Sequence, residues 1–130
     1  MDLIERLKDS VNTIDSLPLR CVLGYLKPEE SFVVYPLPGS KVVRQFYDGV
    51  KDMQLNFEFA MKSKGQQKIH QTLWSVQTFL EELEELSSAD GSFDFDGITV
   101  TNKPFITNLD DTGYYIFNLD VAVEVTSYKN

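Results

Sequence analysis

The stretch KDMQLNFEFAMKSKGQQKIHQTLWSVQTFLEELEEL, residues Lys51–Leu86, holds two hydrophobic periods back to back. Met53, Leu55, Phe57, Phe59 and Met61 alternate with Gln54, Asn56, Glu58, Ala60 and Lys62. A period of two is the pattern of a strand with one face on a core and the other in water. Its register is well specified, because a slip of one residue would turn every large apolar side chain outward. Past Ser63 the period lengthens. Ile69, Leu73, Val76, Leu80 and Leu83 recur at steps of four and three, with Phe79 and Leu86 beside them, and form one apolar stripe. Ser63 and Gln66 have the spacing of a capping box, which predicts the helix start. Running on to Leu86, the helix would have roughly 21 residues and a length of about 32 Å. A half-apolar strand and a one-sided helix joined by a short turn can bury each other's faces.

Working outward, an N-terminal helix is predicted over Leu3–Asp15. Leu3, Ile4, Leu7, Val11 and Ile14 give its stripe, Asp2 with Glu5 its cap, and Pro18 helps to end it. Short strands follow at Arg20–Leu23, Ser31–Tyr35 and Lys41–Tyr47, separated by turns at Lys27–Glu30 and Pro38–Ser40. Asp48-Gly49 is a strong turn dipeptide leading into the strand of residues 53–62. Connections this short favour antiparallel neighbours. After the long helix, Ser87–Gly91 reads as a loop and Ile98–Thr101 as a short strand. Asn102–Gly113, with its Pro, Asn, Asp and Gly, reads as an extended connection. Tyr115, Phe117, Leu119, Val121, Val123 and Val125 alternate with Ile116, Asn118, Asp120, Ala122 and Glu124 in a last strand longer than the usual five or six residues or so. The predicted fold is α+β: a largely antiparallel sheet of about five to six strands, a mixed sheet being the alternative, with the N-terminal helix and the long helix packed on one face. No repeat or linker divides the chain, so residues 1–130 are read as a single domain.

Composition narrows the function. The net charge is −8, with an isoelectric point near 4.5. That opposes nonspecific nucleic-acid binding and docking on anionic lipid, both of which need a basic surface. Cys21 is the sole cysteine, which excludes an internal disulfide and a cysteine-based metal site and fits a reducing, intracellular origin. The start of the chain lacks the basic-then-apolar pattern of a signal peptide, and no apolar run approaches the ~20 residues of a membrane span.

A search for chemistry yields little. His70 is the sole histidine, at the edge of the long helix's stripe, and nothing brings it to Cys21 for nucleophilic work. Ser92, Asp94, Asp96 and Gly97 start to fit a calcium loop, but Lys103 stands where the template needs a bidentate Glu, so a turn with a strand edge is the better reading. There is no Gly-rich phosphate loop. Glu81, Glu82, Glu84 and Glu85 read as a solvated helix end, in mild conflict with the helix dipole. Trp74 falls about 140° round the helix from Ile69, so it is either covered by another segment or an interface anchor.

The order of these features resembles a known group. Tyr47-Asp48-Gly49-Val50-Lys51-Asp52 leads into the strand Met53–Lys62; Gln66-Gln67 opens the helix; Leu80-Glu81-Glu82-Leu83 closes it; Tyr114-Tyr115-Ile116-Phe117 begins the last strand. In this order the chain resembles the minor capsid, or tail terminator (tail completion), proteins of long-tailed bacteriophages, over nearly its whole length. The resemblance implies a structural virion protein of a phage or prophage, made in the host cytoplasm. It would form a homo-oligomeric ring, typically a hexamer, at the head-proximal end of the tail tube. There it would stop tube polymerisation and join tail to head. Its partners would be itself, the tail tube protein and a head-completion or connector protein, with DNA passing through unbound and no membrane involved. The resemblance brings no catalytic residues, cofactor or metal. Candidate interface residues are Trp74, Phe105, Tyr114, Lys41 and Arg44, with the Lys27–Glu30, Pro36–Ser40 and Asn102–Gly113 segments. The alternative is a cytoplasmic protein-interaction adaptor or regulator of the same fold, without enzymatic activity.

Overall fold

Strand β4, Lys51–Ser63, is the axis of the computed structural model, which describes residues 2–15, 17–109 and 113–128. Six strands form one open sheet in the order β1-β2-β4-β6-β5, with β3 also on β4. β1 is Val22–Leu23, β2 Ser31–Pro36, β3 Lys41–Gln45, β5 Phe93–Leu109 and β6 Tyr115–Ser127. The helices are α1, Leu3–Val11, and α2, Gln66–Glu81. The α+β class is as the periods predict, and the sheet is antiparallel except for one pair.

That exception corrects an expectation. β1 pairs parallel with β2, and β2 does not pair with β3. Gly24, at φ +118°, turns the chain away from β1, and residues 25–30 then return to enter β2 in the same direction. β2 and β3 instead lie end to end along one edge of β4. Ser31–Pro36 pair with Lys62–Phe57, and Lys41–Gln45 with Gln54–Lys51. Asn56 spans the break between them. Its carbonyl accepts the Leu37 N–H at 2.8 Å, its N–H reaches Ser40 Oγ at 3.3 Å, and its amide donates to the Pro38 carbonyl at 3.4 Å.

A second correction lies at the other edge. Asn102 does not open a connection; β5 runs straight through to Leu109 and pairs with β6 along nearly its whole length. Pro104 is tolerated because β5 is an edge strand whose ladder is broken by register shifts between Val100 and Asn102 and between Asn102 and Phe105. The end of the expected connection, residues 110–112, lies outside the described residues.

Both helices are shorter than their stripes. α1 ends at Val11, short of Asp15, because the Asn12 amide is engaged with the backbone N–H and carbonyl of Cys21, both at 2.8 Å. Asp2 makes no cap bond to α1. Its carboxylate accepts the Ser88 hydroxyl and the Ala89 N–H at 2.8 Å each, tying the helix start to the loop before β5. α2 starts after Gly65, and the expected capping box does not form. Ser63 is still in β4, opposite Tyr115, and its hydroxyl donates to Glu30 at 2.6 Å. α2 stops at Glu81, with no basic residue in its last turn and four glutamates around its end, where carboxylates oppose the helix dipole. Leu83 and Leu86 reach the core from the irregular segment beyond.

One core collects these parts. Leu3, Leu7 and Val11 of α1 and Ile69, Leu73, Val76 and Leu80 of α2 share it with Phe32 and Val34 of β2, Phe57, Phe59 and Met61 of β4, and the alternate residues Phe117–Val125 of β6. The opposite face of the central strands is not simply wet. Val33, Ala60 and Ala122 are buried on it, in the middle of the sheet.

Candidate assembly surface

Large side chains left in water mark where such a chain meets others, provided they cluster. Three groups stand out. The first is the β3–β4 arm, whose tip turns at residues 46–50: the Phe46 N–H bonds the Val50 carbonyl at 2.8 Å, and Asp48 Oδ1 takes the Val50 N–H at 3.1 Å. Every residue of β3 is exposed. Val43 is 61% exposed, and Val42, Phe46 and Tyr47 are exposed with it. Lys41 and Arg44 lie on the same strand.

The second group is on α2. Trp74 is 56% exposed and its ring stacks on His70 at 6.4 Å between centroids. With Pro18, Gln67, Gln71 and Ser75 they border a groove of about 910 Å³. Trp74 is therefore not covered by α1 or by a loop. His70 is exposed, whereas Cys21 is buried and burial pushes its thiol up to about 12, so the two make no nucleophile–base pair.

The third group surrounds the β5–β6 hairpin. Phe105 and Ile106 are exposed, and Tyr114 lies half-buried beneath Lys62 and Lys64, whose Nζ atoms sit 5.0 and 5.2 Å from its ring centre. The five predicted interface residues are thus divided among three places: Lys41 and Arg44 on the arm, Trp74 on α2, Phe105 and Tyr114 at the hairpin. Of the predicted segment Lys27–Glu30, residues 27–29 are exposed and Glu30 is tied to Ser63 and to Lys68, whose Nζ bonds it at 2.8 Å. These bonds, the lysine's first, draw the Glu30 carboxyl below its ordinary range.

A polar row that sequence reasoning missed crosses the face opposite the core. Register aligns Tyr35, Glu58, Asp120 and Asn102 across four strands. The Tyr35 hydroxyl donates to Glu58 Oε1, which also accepts the Asn118 amide at 2.8 Å. Asn102 donates to Asp120 Oδ2 at 2.8 Å. Asp120 is 9% exposed, and its Oδ1 is buried with no hydrogen-bond partner among the described residues. Burial, then the side-chain interaction with Asp120, raises the Glu58 carboxyl above its usual range. Burial, with the bond to Glu58, raises the Tyr35 phenol as well. The hydroxyl and amide donors of the row bond to its own carboxylates, which makes it an internal brace. The signal was the pair of polar residues Asn118 and Asp120 within an apolar strand, but only the register sets them beside Glu58.

Asp94 and Asp96, weighed for calcium, stand on β5, where they accept the Tyr128 and Thr126 hydroxyls. Among the described residues no three His, Cys, Asp or Glu side chains are grouped to hold a metal, and no helix is long and apolar enough to cross a membrane. No curated protein matches the sequence. The family model described as bacteriophage tail terminator protein matches residues 7–127, from within α1 to the end of β6. With nearly the whole fold inside that match, the chain belongs to the bacteriophage tail terminator family.

Proposed function

We propose that this structural phage tail protein acts as a ring of identical subunits that caps the tail tube, arrests its growth and offers the surface to which the head is joined. The family match over residues 7–127 is the observation that carries this reading. A hexamer is the number the resemblance implies, with tail tube protein on one side and a head-completion or connector protein on the other. Both helices are taken to lie on the face of the sheet carrying Phe57, Phe59 and Met61, supported by the core they share with those residues. That would leave the sheet edges and the β3–β4 arm for contacts between subunits. The role is mechanical, and no cofactor or metal enters it.

The charge suits such a part. Each subunit brings −8, so a lumen lined by this chain repels phosphate and lets DNA slide. The test is to add the chain to polymerising tail tube protein and image the tubes. Rings on tube ends with growth arrested are expected. Tubes of unchanged length without caps, over a series of salt concentrations, would sink the terminator reading and leave the adaptor ahead.

A further inference from the structure

We infer that neighbouring subunits join by continuing the sheet, the outer edge of β3 in one copy pairing antiparallel with the start of β5 in the next. This rests on the ring reading above and names its contact. Among the described residues β3 pairs only with β4, and β5 only with β6, so each offers one unpaired edge. The rows of the sheet relate these edges. Arg44, Asp52, Thr126 and Asp94 form one row; Val42, Met53, Val125 and Phe95 form another. Counting strand directions from β3 through β4 and β6 makes β5 antiparallel to β3. A second copy added in the same rows therefore sets its Arg44 beside Asp94 and its Val42 beside Phe95.

Charge favours that register. β3 reads KVVRQ, two cations and no anion, and neither Lys41 nor Arg44 forms an ion pair among the described residues. The receiving edge borders a groove of about 540 Å³ lined by Glu84, Glu85 and Asp94. Opposite charges facing each other across strands are favourable, and like charges there are unfavourable. The pairing is short by construction. β1 occupies the place outside β2 opposite Val33 and Val34, so an incoming β5 can follow β3 only over about its first five residues before its own irregular stretch near Pro104. The two edges are different surfaces, so the contact is head-to-tail, the kind that closes into rings.

Charge reversal tests it. Arg44→Asp alone and Asp94→Arg alone should each weaken self-association roughly tenfold or more in sedimentation velocity. The double variant, and an equal mixture of the two singles, should return to within about threefold of the original chain, because both place Asp against Arg. Both side chains are exposed, so the fold is expected to survive. An independent readout is a chain carrying Arg44→Cys and Asp94→Cys, oxidised mildly. The two positions in one chain are about 14 Å apart, three strand spacings, beyond disulfide reach. Buried Cys21 stays out. A ladder of covalent multimers is expected. If the chain caps tubes or forms oligomers yet neither reversal matters and no ladder appears, the edge contact is wrong and the ring reading stands. If it neither caps tubes, associates nor forms a ladder, both fall.

Discussion

Glu58 accepts from Tyr35 and Asn118 and stands in register beside the buried carboxylate of Asp120, and burial with that neighbour raises its carboxyl. Because its value in the folded chain lies above the unfolded 4.5, its contribution to stability is fully present below pH 4.5 and is lost as pH rises through the raised value. Glu30 acts with the opposite sign and in another window. Its carboxyl is lowered in the folded chain, so its contribution is present above 4.5 and lost as pH falls. Glu58→Gln keeps an acceptor for Tyr35 and a donor for Asp120 at every pH. Urea midpoints measured upward from pH 4.5 should fall in the natural chain and stay flatter in Glu58→Gln; parallel curves would refute a raised Glu58 carboxyl. On the core side, Phe57 is buried and Phe59 packs on Phe32 with ring centres 6.2 Å apart. Phe57→Ala should cost about 3–5 kcal/mol. That is a large part of the ~5–15 kcal/mol typical of such domains, and chemical denaturation will measure it.

The break between β2 and β3 shows how one strand accommodates two partners. Pro36 ends the first pairing, and Gly39, at φ +101°, turns the backbone so that β3 can resume on β4. A Cβ at Gly39 would sit 3.0 Å from Asn56 Nδ2, the amide that holds the Pro38 carbonyl. Gly39→Ala therefore meets both a left-handed backbone and a clash. A loss of about 1–2 kcal/mol is expected from the backbone alone. Amide exchange should quicken in Lys41–Gln45 more than in Ser31–Tyr35, because β2 is buried in the core and β3 is not. Uniform protection in the variant would mean that β3 does not depend on this corner.

For the molecule as a unit, charge opposes the assembly that shape invites. A net −8 per subunit produces mutual repulsion at low ionic strength, whereas each exposed cross-edge ion pair returns only about 0.2–1 kcal/mol. Salt weakens both, but the repulsion involves more charges over longer distances. The Debye length falls from about 30 Å at 0.01 M to about 10 Å at 0.1 M. Raising salt through that range should increase self-association at fixed, low protein concentration in analytical ultracentrifugation. A monotonic decrease would mean that attraction between the edges, not net charge, controls assembly.

The alternation at Met53–Lys62 and at Tyr115–Val125, and the stripe from Ile69 to Leu80, were sufficient to specify the class of fold and much of the core, because side-chain periodicity is a local property of strand and helix geometry. Helix ends were less legible. Asn12, Ser63 and Asp2 each had a capping pattern or lay on a helical stretch, yet each spends its side chain on a partner distant in the chain or in the fold. The span of β5 was hidden by Pro104 and its polar neighbours, which read as loop until β6 is there to pair with them. The candidate surface was legible by residue type, in Trp74, Lys41, Arg44, Phe105 and Tyr114, but not by place. Which residues share a row, as Tyr35 with Glu58, Asp120 and Asn102, is a matter of register between strands remote in sequence. That is decided only when the whole sheet closes over one core, since each pairing is chosen by the faces that all the others must bury.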